Sequence, residues 1–242
     1  MKKLIVANWK MQVATTDGLF FLKQIANFSK FKNDLIVCPD FLILLQAGKI
    51  LENTQHKLGA QNCSLKEKGA LTGEISPRDL RLAGCSHVII GHSERRHIFK
   101  EDSALINSKI QVALNNDLIP ILCLGESWLE RRSGRTRPVL SAQLKSALKG
   151  IKIKKSSDLI LAYEPVWAIG SGKSLAPEEA DKIINYISDR ALKLNGKRFK
   201  VLYGGSINED NASIFLLQKN IAGLLVGGAS TQELSLKKLL KA

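Results

Sequence analysis

The chain has 242 residues with 45% hydrophobic content, enough for one large packed core, and no low-complexity linker or block of like charge divides it. Its formal charge of +14, from 36 basic against 22 acidic residues, comes from lysines scattered over predicted helix faces without an aromatic-studded basic module, so no nucleic acid partner is expected. Cys38, Cys63, Cys85 and Cys123 form no CxxC pair, no apolar stretch approaches a membrane span, and Asn8 and Lys10 interrupt the N-terminal run too early for a signal peptide; the expectation is a cytoplasmic protein of one domain, 1–242, with no membrane partner.

Short apolar runs open near Leu4 (LIVAN), Leu35 (LIVC), Leu58 (LGAQN), Val88 (VIIGH), Leu118 (LIPILCLGE), Leu159 (LILAYE), Phe199 (FKVLYGGS) and Ile221 (IAGLLVGG), and eight strands fit them. Helix-like segments lie between most of them, at residues 17–29, 41–52, 103–115, 137–149, 177–195, 208–218 and 232–240. The stretch between the third and fourth strands reads as loop with a short helix at 77–82. Pro120 is placed at the opening of the fifth strand, where its missing N–H is tolerable. Continuous apolar strands alternating with amphipathic helices indicate a parallel sheet buried on both faces. Eight such units in this length predict an α/β fold, a closed (β/α)8 barrel of eight parallel strands with outer helices.

In such a barrel chemistry gathers at the C-terminal ends of the strands. The polar residues that end these runs are Asn8 and Lys10, Gln61, His92, Glu126, Glu164, Ser206 and Gly227-Gly228. Each alone reads equally well as a surface or core residue; together they place a lysine, a histidine and a carboxylate around one mouth. The stretch AYEPVWAIGSGK is the most informative: Pro165 stops the strand at Glu164, a candidate base, and Gly170 and Gly172 give a lid its freedom. Gly204-Gly205-Ser206 and Gly227-Gly228 would aim backbone N–H groups and a helix N-terminus at a phosphate, with Gly170 and Ser171 closing over it. Gly172-Lys173-Ser174 is not the tail of a nucleotide-binding P-loop, because Trp167 stands where a glycine is required and Pro177 starts the helix too late.

NWKM at 8–11, GAQN at 59–62, LTGEIS at 71–76, IIGHSERR at 89–96, AYEPVWAIGSGK at 162–173, YGGS at 203–206 and VGGAS at 226–230 together resemble the triosephosphate isomerase family, in order along nearly the whole chain. The resemblance implies a TIM barrel isomerase that interconverts dihydroxyacetone phosphate and D-glyceraldehyde 3-phosphate in glycolysis and gluconeogenesis, with no metal or organic cofactor. It implies Glu164 as base, His92 as neutral donor, Lys10 as fixed charge, Asn8 as a further donor and Glu94 as the partner of Lys10 or His92; base, neutral histidine and closing loop are that family's established combination. Substrate would be held by Asn8, Lys10, Gly170, Ser206, Gly227 and Gly228. The loop at 63–76 implies a homodimer in which Thr72 reaches the partner near its Asn8 and Lys10, supported by Arg95 and Glu101. Gln12, Lys173-Ser174-Leu175 and Ala176 depart from the family pattern at the lysine's support, the lid hinge and a helix cap. Two other readings stay open: a surface binder of acidic polymers, and a different phosphosugar isomerase on the same barrel.

Overall fold

The computed structural model describes residues 2–29, 31–170, 172 and 174–242; Ser171 and Lys173, both assigned to the lid, lie outside the described residues. Eight parallel strands close in sequence order: β1 (Leu4–Asn8), β2 (Asp34–Cys38), β3 (Lys57–Ala60), β4 (Cys85–Ile90), β5 (Ile119–Leu124), β6 (Ile160–Tyr163), β7 (Lys200–Tyr203) and β8 (Gly223–Val226), with β8 paired back to β1.

Alternation sorts the strand side chains. Leu4, Val6, Ile36, Cys38, Ile89, Ile121, Cys123, Ile160, Ala162, Leu202 and Leu225 pack together inside the barrel. Their neighbours, such as Ile5, Ala7, Val37, Val88 and Leu161, pack against the helices. With both faces buried, the strand interiors read as near-continuous apolar runs. The same alternation fixes where inner positions emerge: Asn8 continues the series Leu4, Val6, and Glu164 continues Ile160, Ala162.

The outer layer is α1 (Thr15–Ala26), α2 (Leu44–Leu51), α3 (Pro77–Leu82), α4 (Ser93–His97), α5 (Ser103–Asn115), α6 (Trp128–Arg132), α7 (Thr136–Ala147), α8 (Pro177–Asn195), α9 (Ala212–Leu216) and α10 (Glu233–Lys241). Three differences from the sequence expectation have physical causes. β4 begins at Cys85 because Ser86 and His87 occupy its polar lower end, which hides the strand in a hydrophobicity pattern. α9 covers only five residues of the expected 208–218, since Asn208 and Asn211 side chains bind the backbone N–H groups of 208, 210 and 211 and hold that stretch in a turn. α6 lies outside the expected helices, although Ser127 and Glu130 form the reciprocal capping box that opens it. Pro120 is the second residue of β5, opposite Val88.

Candidate active site

Asn8, Lys10, His92, Glu164, Gly170, Ser206, Gly227 and Gly228 line one cavity of about 280 Å³ at the C-terminal mouth of the barrel. The cavity suits a ligand of a few heavy atoms plus a phosphate group. Among the described residues no His, Cys, Asp or Glu group is arranged to hold a metal ion.

Glu164 is buried, with 2% of its surface exposed, and its carboxylate has two donors. His92 Nε2 lies 3.1 Å from Oε1, and the Ser93 backbone N–H donates to Oε2 at 3.0 Å. Two glycines make the room: a Cβ on Gly125 would overlap the Glu164 carbonyl, and one on Gly204 would lie 2.9 Å from Glu164 Cγ. Burial alone would raise the Glu164 ionisation, but His92, the Ser93 N–H and Lys10 together lower it below the usual carboxylate range.

His92 is the N-cap of α4, and its Nδ1 accepts the Glu94 N–H at 3.3 Å. That leaves the ring proton on Nε2, facing Glu164 and the cavity. Burial disfavours the charged ring and Lys10 adds to that, yet the Glu164 carboxylate, helped by Glu94, prevails and holds the ionisation above its ordinary value in this arrangement.

Lys10 is the least ordinary backbone here: its φ is 52°, a left-handed conformation that side chains other than glycine rarely take. Three bonds brace it. The Asn8 side chain accepts the Lys10 N–H at 3.2 Å, Gln61 Nε2 donates to the Lys10 carbonyl at 2.8 Å, and Trp9 Nε1 donates to the Ser230 carbonyl at 3.1 Å. Its ammonium meets Glu94 Oε1 at 2.6 Å. Glu94 therefore touches both Lys10 and His92, whose Nδ1 is 3.6 Å from its other oxygen, from behind the cavity wall.

Two rim residues do not face this cavity. Gln61 turns to the Lys10 and Cys38 carbonyls. Glu126 turns sideways into full burial, where its Oε1 accepts from Tyr163 Oη at 3.1 Å, Trp167 Nε1 at 3.3 Å and Arg131 Nη1 at 3.4 Å. It thus ties down the front of the lid. At the lid's rear the Leu175 N–H donates to Tyr203 Oη at 3.2 Å. Ala176, before α8, caps nothing with its side chain.

Thr72 is exposed on the loop before α3, apart from the cavity. Arg95 Nη2 pairs with Glu101 Oε1 at 2.7 Å, and the buried Lys109 ammonium meets that same oxygen and Asn62 Oδ1 at 2.6 and 2.9 Å. The sequence hides Lys109, because a lysine on an amphipathic helix reads as surface. It hides Arg96 too, which donates to the Gly91 and Cys123 carbonyls at 2.8 and 3.0 Å and holds together the upper ends of β4 and β5.

Comparison with known proteins identifies the family. The family model for triosephosphate isomerase matches residues 3–242. Triosephosphate isomerases of Dictyoglomus turgidum and Aquifex aeolicus are each 42% identical to this chain, covering 100% and 99% of it and 99% of their own lengths. The crystal structure of the Bartonella henselae triosephosphate isomerase superposes with a TM-score of 0.87 at 32% identity, covering 99% of this chain and 98% of that one. The match along the whole barrel leaves no place for a different phosphosugar isomerase, and the chain belongs to the triosephosphate isomerase family.

Proposed function

We propose that the chain, a single domain, interconverts dihydroxyacetone phosphate and D-glyceraldehyde 3-phosphate by moving a proton between adjacent carbons through an enediolate. The observation that carries the residue assignment is the convergence of a buried carboxylate, an Nε2–H imidazole and an ammonium on one small cavity.

Removing a proton beside a carbonyl needs a base on one side and donors at the developing oxyanion on the other. Glu164 is the base. At rest it is a weak one, because His92 and the Ser93 N–H stabilise its charge. Turning towards the substrate carbon removes those donors while burial remains, so its basicity rises where it is used. The same movement frees His92 Nε2–H to donate to the substrate oxygens. It also takes away the carboxylate that favours a charged ring, so burial, Lys10 and the Glu94 N–H at Nδ1 then favour the neutral imidazole. Lys10 and Asn8 face the substrate oxygens, and Gly170, Ser206, Gly227 and Gly228 hold the phosphate through backbone N–H groups and a hydroxyl. Lid closure keeps water from the enediolate. Glu94 keeps Lys10 and His92 in place.

The active form is a homodimer in the cytoplasm. Met11, Leu42, Leu45, Ile98 and Phe99 stand exposed, Met11 by 92%, on the segments that follow β1, β2 and β4. These flank the loop at 63–76 that carries Thr72, so apolar surface surrounds the arm proposed to enter the partner. Four buried free cysteines suit a reducing compartment, and among the described residues no helix is long and apolar enough to cross a membrane.

The test is turnover of glyceraldehyde 3-phosphate by the purified protein beside Glu164→Gln. Fast isomerisation that the variant lacks supports reaction and base together; full turnover in the variant removes Glu164 from that role.

A further inference from the structure

The triose site leaves the +14 charge without a use, and the fold shows where much of it gathers. Because the strands are parallel, the segments leading into them share the N-terminal mouth, opposite the cavity described above. Lys152, Lys154 and Lys155 precede β6 there, and Lys197 and Arg198 precede β7. The acids of this end include Asp34, which faces Lys2 at 3.3 Å, Asp181, which accepts from Asn220 before β8, and Asp189, with Asp117 and Asp158.

A cavity of about 500 Å³ opens at this mouth. Its floor is the lower end of the barrel interior, Leu4, Ile36, Ile119 and Ile160, and Lys57 of β3 and Lys200 of β7 stand at its edge. Neither lysine forms an ion pair among the described residues. Arg198, at the same edge, is paired with Asp189 at 2.8 Å. His87 of β4 lines the cavity too, with Nδ1 2.8 Å from Ser86 Oγ. Burial, then Lys57 and Lys200, push its ionisation down to about 4. Asp34 is the one carboxylate among the described lining residues, and Lys2 engages it. The cavity therefore gathers two unpaired ammonium groups and a neutral ring, with no free carboxylate to balance them.

We propose that the N-terminal mouth is a second anion site, in which Lys57 and Lys200 bind the phosphate group of a small ligand beside His87. The site is independent of the isomerase reading. Lys57 on β3 and Lys200 on β7 would reach an anion there from opposite sides of the mouth, above the apolar floor.

The test follows the His87 ring resonances by NMR while inorganic pyrophosphate is added at constant ionic strength, in the wild type and in a Lys57→Met/Lys200→Met variant. Both lysines are exposed and remote from the catalytic cavity, so the variant keeps its fold and its turnover. The expected result is a saturable shift of His87, with its ionisation raised, that the variant weakens about tenfold or loses. His92 reports any pyrophosphate in the other site separately. A silent His87 at millimolar pyrophosphate, or an equal response in the variant, overturns the proposal. So does steeply salt-dependent binding of a single-stranded oligonucleotide with His87 unmoved, which would make this end a diffuse basic face.

Discussion

A carboxylate that accepts from both His92 and the Ser93 N–H stands ready without being reactive, so the reach of the side chain decides what happens next. Glu164→Asp shortens that reach by about an ångström and should cost about 100-fold or more in kcat with unchanged folding, since attack geometry tolerates little displacement. Near-normal turnover would contradict the assignment. His87 gives a pH test on stability. Its ionisation lies near 4 in the fold against the ordinary value of 6.5, so between those values the unfolded chain binds more protons and stability falls as pH falls. Between pH 7 and pH 5 this costs about 2 kcal/mol. Thermal unfolding of His87→Gln should lose less over that interval than the wild type; parallel losses would show that another group is responsible. At this scale the sequence told a good deal, because Asn8 and Glu164 sit where inner strand positions run out into polar residues. It did not tell that Gln61 and Glu126 turn away from the cavity, or that Gly125 and Gly204 give Glu164 its room, because those facts depend on partners far along the chain.

Helix α6 shows what pattern reading loses between elements. It is five residues long, too short for a periodic apolar stripe, and only its capping box betrays it. Yet it places Trp128 and Arg131 on Trp167, the indole rings 5.6 Å apart at 55° and the guanidinium 4.8 Å from the ring centre. Arg131 also reaches Glu179 in the first turn of α8 at 2.6 Å. The front of the lid is thus clamped between two helices. Trp128→Ala should loosen that clamp and raise KM about two- to tenfold with little change in kcat, given the size of one aromatic contact. Steady-state kinetics with tryptophan emission checks it; an unaltered KM would leave Trp128 a surface residue. The longer helices were legible because their apolar positions recur over several turns: the expected bounds of α5 and α8 match the structure, and those of α1 and α7 differ by one to three residues.

The whole barrel was legible because a parallel strand buried on both sides leaves a near-continuous apolar run, and eight such runs alternating with helical segments in a chain of this length fit a closed barrel. The dimer is a reading from family resemblance alone, since a loop's length does not say what it docks into. Sedimentation velocity at micromolar concentration should give twice the chain mass of 26.6 kDa. A fully active monomer would contradict the dimer. Charge is the property that composition could count and could not place. The fold separates it, with the small cavity that Glu164, His92 and Lys10 share at one mouth and lysines gathered at the other.

The left-handed backbone of Lys10 has a consequence for how such a chain changes over generations. A glycine would occupy that conformation with about 1 kcal/mol less strain. Lys10→Gly should therefore melt no lower than the wild type despite losing the contact with Glu94, while turnover disappears; a clear fall in Tm would show that the ion pair outweighs the strain. Stability alone would tolerate that glycine, and demand for the reaction proposed above is what would keep a lysine in a place where the backbone resists it.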